Sequence, residues 1–203
     1  MGVREHRQGL LGGSFDPVHL AHIELARQAQ RHLALDSVTL IPAARPWQRG
    51  VLGATAQHRL EMLKLATAGE AGLKLSTVEI DRDGPTYTID TLRDLPEGPR
   101  YFWILGADQL ENFCSWKQWQ EITTRVELAV AARPGSALKA PPALDEWLAS
   151  QGRVLHFIPM PPFNLSATEI RQRIAGGQSV DGMMLPSVAQ YIQQHGLYRH
   201  SAA

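Results

Sequence analysis

Cysteine is almost absent from this sequence, since Cys114 is the single one among 203 residues. One cysteine cannot form an internal disulfide or a cysteine-rich metal site, so we expect the chain to work in a reducing compartment. An excess of one charge is lacking too, because twenty basic and twenty acidic residues give a formal net charge of zero. The chain therefore has no long-range field favouring nucleic acid or a membrane, and any anion site must be local.

Long apolar runs are also missing. No stretch approaches the roughly 20 apolar residues that a membrane-spanning helix needs, and the polar start of the chain lacks the apolar segment of a signal peptide. We therefore expect a cytoplasmic protein without membrane or nucleic-acid partners, and leave open whether it forms a homo-oligomer. Hydrophobic residues make up 44% of the sequence, which is enough for the core of a domain of this length.

Strand-like and helix-like segments alternate along the whole chain. Apolar runs predict a first strand that ends at two glycines, and further strands at 37–42, 73–78, 101–105, 128–132 and 154–159. Apolar residues at helical spacing predict helices between them, for example after Leu20 and after Thr55. This alternation is typical of an α/β fold with a doubly wound, mostly parallel sheet and a ligand cleft at the carboxyl ends of the strands. We expect one domain over 1–203, with a small helical part at about 160–200.

The most informative stretch is Leu-Leu-Gly-Gly-Ser-Phe-Asp-Pro-Val-His-Leu-Ala-His at 10–22. Gly12 and Gly13 remove side chains where a ligand would approach the backbone, and the helix that follows offers unpaired N–H groups and a positive dipole end to an anion. His19 and His22 are three residues apart, so on a helix they share one face. Each feature alone is also common in ordinary turns and helices, but together they predict a phosphate site.

Further candidate residues follow the ends of predicted strands. Asp108 comes just after the strand at 101–105, where an acid can accept hydrogen bonds from a ribose or cap a helix. Ser166 and Glu169 form a capping-box pattern that opens a helix carrying Arg171. The aromatic cluster around Trp116, considered alone, favours packing over ligand stacking.

Taken whole, the segment at 12–22 resembles the Gly-Gly-(Ser/Thr)-Phe-Asp-Pro-x-His-x-Gly-His signature of nucleotidyltransferases, with Ala21 at the position of the last glycine. From about Gly12 to Tyr198 the sequence is similar to bacterial nicotinate-nucleotide adenylyltransferases. The segments that support this are Pro85-Thr-Tyr-Thr, Ile104-Leu-Gly-Ala-Asp108, Trp116, Arg133-Pro134, Leu165-Ser-Ala-Thr-Glu-Ile-Arg171 and Gly196-Leu-Tyr198. The resemblance implies a Rossmann-like nucleotidyltransferase fold and transfer of an adenylyl group from ATP to nicotinate mononucleotide.

The resemblance also implies roles for individual residues. Catalytic roles are implied for His19, His22 and Arg171. ATP-binding roles are implied for Gly12, Gly13, Ser14, Phe15, Gly106, Asp108, Arg133, Ser166 and Thr168. Binding of the acceptor nucleotide is implied for Tyr87, Thr88, Trp116 and Arg49, the last in a loop where Gln48 replaces a common histidine. No metal site built by the protein is implied, and Mg²⁺ would bind mainly through the ATP phosphates.

Two other functions stay open on the sequence alone. A related enzyme, such as pantetheine-phosphate adenylyltransferase or a cytidylyltransferase, shares the histidine signature and uses another phosphate acceptor. The Tyr87 region and Trp116 favour the pyridine nucleotide over these acceptors. A non-catalytic nucleotide-binding regulator would keep the same fold, although this chain retains both histidines and Arg171.

Overall fold

The structure is a computed structural model that describes residues 5–46, 51–82, 84–132, 138–161 and 165–199. Within these ranges the strands are β1 Arg7–Gly13, β2 Ser37–Pro42, β3 Leu73–Leu75, β4 Arg100–Leu105, β5 Glu127–Ala132 and β6 His156–Pro159. The helices are α1 Leu20–His32, α2 Ala56–Thr67, α3 Thr88–Arg93, α4 Ala107–Glu111, α5 Trp119–Arg125, α6 Pro142–Ser150, α7 Ala167–Ala175 and α8 Pro186–Gln194. A short 3₁₀ turn at Phe113–Ser115 lies between α4 and α5.

The strands form one parallel sheet in the order β3-β2-β1-β4-β5-β6. The chain moves outward from β1 to β3 and then returns to place β4 on the other side of β1, so the strand order reverses at β1. A reversal of this kind leaves a crevice at the carboxyl ends of the strands. The predicted α/β fold with a doubly wound sheet is confirmed.

Two strands are shorter than their sequence patterns predicted. β3 ends at Leu75 because a turn follows, in which the N–H of Asp81 donates to the carbonyl of Thr77 at 2.9 Å. β6 begins only at His156, since Arg153 still closes the end of α6 by donating its N–H to the carbonyl of Leu148 at 2.8 Å. Both corrections come from turns at the strand ends and leave the topology unchanged.

Side chains of the strands alternate between two core clusters, one on each face of the sheet. In β4, Phe102 and Ile104 belong to the cluster that includes residues of α1, α2, α7 and α8, whereas Trp103 and Leu105 belong to the cluster with α3, α5 and α6. Strands buried on both faces are expected in a parallel sheet. The C-terminal helices α7 and α8 thus share a core with the first two helices of the chain.

The helices α2 and α7 begin where the sequence predicted, each with a side chain that caps its first turn. The hydroxyl of Thr55 accepts a hydrogen bond from the N–H of His58 at 3.3 Å, and that of Ser166 accepts one from the N–H of Glu169 at 3.1 Å. Both residues therefore act as N-caps. The Glu169 carboxylate accepts a hydrogen bond from Arg173 at 3.1 Å instead of turning back to Ser166. In the described ranges, no helix has the length and apolar character needed to cross a membrane.

Candidate active site

A cleft of about 710 Å³ opens at the carboxyl edge of the sheet, where the strand order reverses at β1. Its walls come from the ends of β1, β4 and β5, from the segments that follow β2, β3, β4 and β6, and from α1 and α3. The predicted site residues that line it are Gly12, Gly13, Ser14, His22, Thr88, Gly106, Asp108 and Trp116. The fold therefore brings candidates from distant parts of the chain into one cavity.

The two histidines at the start of α1 have different environments. His19 is the N-cap residue and is 8% exposed, whereas His22 lines the cleft. Their rings stack with centroids 3.7 Å apart. The backbone N–H of His19 donates to Nδ1 of His22 at 3.2 Å, which leaves Nε2 as the protonated nitrogen of a neutral His22. His22 is thus prepared as a hydrogen-bond donor, with His19 packed against it.

Burial gives His19 an unusually low pKa. It lowers the pKa of His19 to about 4, so this ring is neutral at neutral pH and the stacked pair does not hold two adjacent positive charges. Nδ1 of His19 is buried and has no hydrogen-bond partner among the described residues. Phe15, itself 1% exposed, contacts His22 edge-on with ring centroids 5.0 Å apart. Phe15 and His19 together hold the ring of His22 in place.

Around the glycine turn, core packing gives a second reason for Gly12, and one amide of the helix start already has a partner. A Cβ at Gly12 would lie 2.8 Å from Cζ2 of Trp103, so packing inside the protein already requires glycine there. The first amide of α1 is occupied, because the N–H of Leu20 donates to the carbonyl of Met183 at 3.0 Å. The helix start therefore has fewer unpaired N–H groups than expected, and the polar side chain that it places in the cleft wall is His22.

Arg171 is anchored on the loop between β1 and α1. Nη1 donates to the carbonyl of Asp16 at 2.7 Å, and Nη2 donates to the hydroxyl of Thr168 at 3.2 Å. The side chain keeps 30% of its surface exposed, while Nη1 also lies 3.9 Å from the Asp16 carboxylate. Ser166, Thr168 and Arg171 do not line the cleft, but these bonds tie the start of α7 to the loop that does.

On the opposite side of the cleft, Trp116 packs in the core and also lines the cavity. It is 8% exposed, packs on Phe113 with ring centroids 5.2 Å apart, and lines the cleft together with Thr88. Its Nε1 is buried without a hydrogen-bond partner in the part of the chain that the structure describes. Tyr87 does not line the cleft, and the ammonium group of Lys117 lies 4.4 Å from the centroid of its ring.

Two buried ionisable residues at or beside the cleft, Glu79 and Arg59, were not predicted from the sequence. Glu79 is 5% exposed, lines the cleft and accepts a hydrogen bond from the hydroxyl of Thr91 at 2.7 Å, and burial raises its pKa. Arg59 is 1% exposed and donates to the carbonyls of Ser14 at 2.6 Å and Ala44 at 3.2 Å. No local signal marks either one, because a charged turn and a polar helix position are both typical of solvent-exposed surface.

The predicted basic residues Arg49 and Arg133, like Gln48, lie outside the described residues. In the described part of the cleft wall there is no lysine or arginine. Among the same described residues, no group of three or more His, Cys, Asp or Glu side chains is placed to hold a metal ion. The described wall therefore offers the hydrogen-bonding side chains of Ser14 and His22, together with the acids Glu79 and Asp108.

Comparisons of the sequence with known proteins identify close relatives. The model of the cytidylyltransferase-like family matches residues 10–173. A Bordetella pertussis protein described as a probable nicotinate-nucleotide adenylyltransferase is 57% identical over 199 residues, which cover 98% of this chain and all of the relative. A Neisseria meningitidis serogroup B protein with the same description is 37% identical, over 94% of this chain and 97% of the relative.

Solved structures share the fold at much lower identity. Plasmodium falciparum nicotinic acid mononucleotide adenylyltransferase complexed with NaAD superposes with a TM-score of 0.77 at 16% identity, covering 98% of this chain and 100% of that one. The same enzyme complexed with APC gives a TM-score of 0.73 at 17% identity, with the same coverage. This likeness agrees with the Rossmann-like arrangement of the sheet and its helices.

Proposed function

The chain belongs to the nicotinate-nucleotide adenylyltransferases of the cytidylyltransferase-like family, and from that membership we propose that it transfers the adenylyl group of ATP to nicotinate mononucleotide. The products are nicotinate adenine dinucleotide and pyrophosphate, a step in NAD biosynthesis. The observation that carries the proposal is the donor His22 in the wall of a cleft at the point where the strand order reverses. Sheets of this type bind nucleotides at that point.

The reaction does not require a general base. The 5′-phosphate of nicotinate mononucleotide is anionic at neutral pH, so one of its oxygens attacks the α-phosphorus of ATP directly. The new P–O bond forms while the bond to the bridging oxygen breaks, and pyrophosphate leaves with the electron pair. The protein then has to align the two nucleotides and stabilise the charge that develops on the phosphates.

We assign the ATP phosphates to residues 12–22, which we call the phosphate wall. His22 donates from Nε2, and Ser14 lies beside it in the cleft. Arg171 contributes a permanent positive charge, and its bonds to Asp16 and Thr168 fix the guanidinium beside this loop. His19 acts by holding His22. Of the other residues that the family resemblance assigns to ATP, Gly12, Gly13, Gly106 and Asp108 line the cleft. Phe15, Ser166 and Thr168 do not line it, and Arg133 lies outside the described residues.

We assign the pyridine ring to Glu79, Thr88 and Trp116, which we call the acceptor wall. Membership of the family also assigns acceptor binding to Tyr87 and to Arg49, which lies outside the described residues. Hydrogen-bond donors that bind the carboxylate of nicotinate mononucleotide would face the NH₂ group, itself a donor, of nicotinamide mononucleotide. Each such mismatch costs about 1 to 3 kcal/mol, so one or two give a preference of about 10- to 10⁴-fold for the acid. Burial raises the pKa of Glu79.

In this proposal, Mg²⁺ enters the cleft bound to the ATP phosphates. The described residues do not fit an ion held by the protein, because they include no suitable cluster of ligands. Mg²⁺ commonly keeps several waters and binds through substrate phosphates, so we treat it as part of the substrate Mg·ATP. The cytoplasmic location, which we also propose, rests on the composition of the sequence.

Pyrophosphate release from Mg·ATP tests the proposal with two acceptors. We expect turnover with nicotinate mononucleotide, and a kcat/KM for it at least about tenfold above that for nicotinamide mononucleotide. Equal values would overturn the account of the acceptor wall and leave adenylyl transfer in place. Turnover with pantetheine phosphate alone would favour the related enzyme, whereas ATP binding without turnover of any acceptor would favour the non-catalytic regulator.

A further inference from the structure

Three distant parts of the chain meet at the buried carboxylate of Asp16, which is 2% exposed. Oδ2 accepts a hydrogen bond from the N–H of Gly53 at 2.7 Å. Oδ1 accepts one from the N–H of Ala54 at 3.0 Å and one from the hydroxyl of Tyr198 at 2.7 Å. Hydrogen bonds to an ionised carboxylate are about twice as strong as neutral ones. Asp16 therefore joins the loop after β1 to the segment before α2 and to the segment that follows α8.

Tyr198 is held in this position by more than its hydroxyl. It is 7% exposed, and its φ of 62° lies in the left-handed region that residues other than glycine rarely adopt. A Cβ at Gly53 would lie 2.8 Å from Cε1 of Tyr198 and 3.2 Å from Cδ of Arg171, so Gly53 packs against both side chains. Burial and the neighbouring Asp16 raise the pKa of Tyr198, which keeps the phenol protonated as a donor. Strained positions of this kind persist only when the surroundings hold them in place.

Asp16 is also connected directly to the proposed phosphate site. Its carbonyl accepts a hydrogen bond from Arg171 at 2.7 Å. Ser14, two residues earlier, lines the cleft, and its carbonyl accepts a hydrogen bond from the buried Arg59 at 2.6 Å. A shift of Asp16 would therefore move both Ser14 and the guanidinium of Arg171.

We propose that Tyr198 is a positioning residue, which fixes Ser14 and Arg171 relative to the ATP phosphates through its hydrogen bond to Asp16. The inference rests on the proposed adenylyl transfer. Tyr198 does not line the cleft, so it acts through Asp16 and not by touching a substrate. Its loss should misalign the phosphates of ATP and leave binding of the acceptor largely unchanged.

Tyr198→Phe tests this because it removes the hydroxyl and keeps the ring that packs on Gly53. The matched control is Tyr191→Phe on α8, whose hydroxyl bonds to Nδ1 of His58 on α2 at 2.9 Å. We expect Tyr198→Phe to lower kcat about tenfold, with KM for nicotinate mononucleotide within about twofold of wild type. The control should leave both constants unchanged. Amide hydrogen exchange at Gly53 and Ala54 should become faster in Tyr198→Phe alone.

Each alternative result has a separate meaning. Unchanged kcat in a folded Tyr198→Phe variant, or the same fall in kcat in both variants, would overturn the positioning role even if the wild type transfers adenylyl groups. Unchanged amide exchange at Gly53 and Ala54 would also overturn it, and this measurement can be made without activity. A wild-type protein with no adenylyl transfer would refute the proposed function instead.

Discussion

The two walls of the cleft are held in place by different kinds of contact. In the phosphate wall two polar side chains are buried: Asp16 accepts three hydrogen bonds from distant segments, and His19 stacks on His22. In the acceptor wall Trp116 is held by aromatic packing, Glu79 is buried and accepts a hydrogen bond from Thr91 at 2.7 Å, and the ion pair of Lys117 and Asp90 at 3.3 Å lies at the surface.

This difference has an energetic consequence. Leaving a buried polar group without its partner costs about 1 to 3 kcal/mol, whereas an exposed ion pair contributes about 0 to 1 kcal/mol. Changes in the phosphate wall should therefore disturb the protein and its reaction much more than changes in the surface charges beside the acceptor wall. Substitutions in the two walls test this difference.

The largest effect is expected for His22→Ala in the phosphate wall. Loss of one preorganised donor to the developing phosphate charge should lower kcat by about 10²- to 10³-fold. Steady-state kinetics with Mg·ATP and nicotinate mononucleotide measure this, and His32→Ala at the exposed end of the same helix is the control. If folded His22→Ala turned over at the wild-type rate, the phosphate wall would not be the source of catalysis.

The second prediction concerns the stability that the buried His19 contributes. Its pKa is about 4 in the folded protein, below the usual 6.5, so the unfolded chain binds the proton more readily and stability falls as the pH drops from 6.5 towards 4. Between pH 7.5 and pH 5, this lowers the free energy of unfolding by about 2 kcal/mol, which is about thirtyfold in the unfolding equilibrium.

Urea unfolding at the two pH values, in the wild type and in His19→Gln, measures this contribution. The wild type should lose about 2 kcal/mol more than the variant, which has no titrating group at this position. If both proteins lost the same free energy of unfolding, His19 would bind a proton equally well in the folded and unfolded states.

The smallest effect is expected for Lys117→Met beside the acceptor wall. The Lys117 side chain is 45% exposed and pairs with Asp90, so its removal should change kcat/KM for nicotinate mononucleotide by less than about fivefold. Lys64→Met, which removes another exposed lysine paired with an acid, is the control. A hundredfold loss of kcat/KM in Lys117→Met alone would show that surface charge controls binding or turnover of the acceptor. The proposed difference between the two walls would then be wrong.

Much of the fold follows from local patterns in the sequence. The strand at 37–42, the helix after Leu20 and the N-caps Thr55 and Ser166 all occur where the sequence predicted them. Apolar periodicity and capping act between residues no more than about four apart, so they can be read along the chain. The alternation of these elements was sufficient to predict the parallel sheet and the edge at which the cleft opens.

The sequence by itself thus determined the class of fold, the edge of the sheet that carries the cleft, and the candidate residues along that edge. Only the tertiary structure decided which polar groups are buried: His19 behind His22, Glu79 in the cleft wall, and Tyr198 on Asp16, 182 residues away. The physical reason is that desolvation and hydrogen bonding between distant segments depend on how the whole sheet and its helices pack, whereas helices, strands and their caps depend mostly on neighbours in the chain.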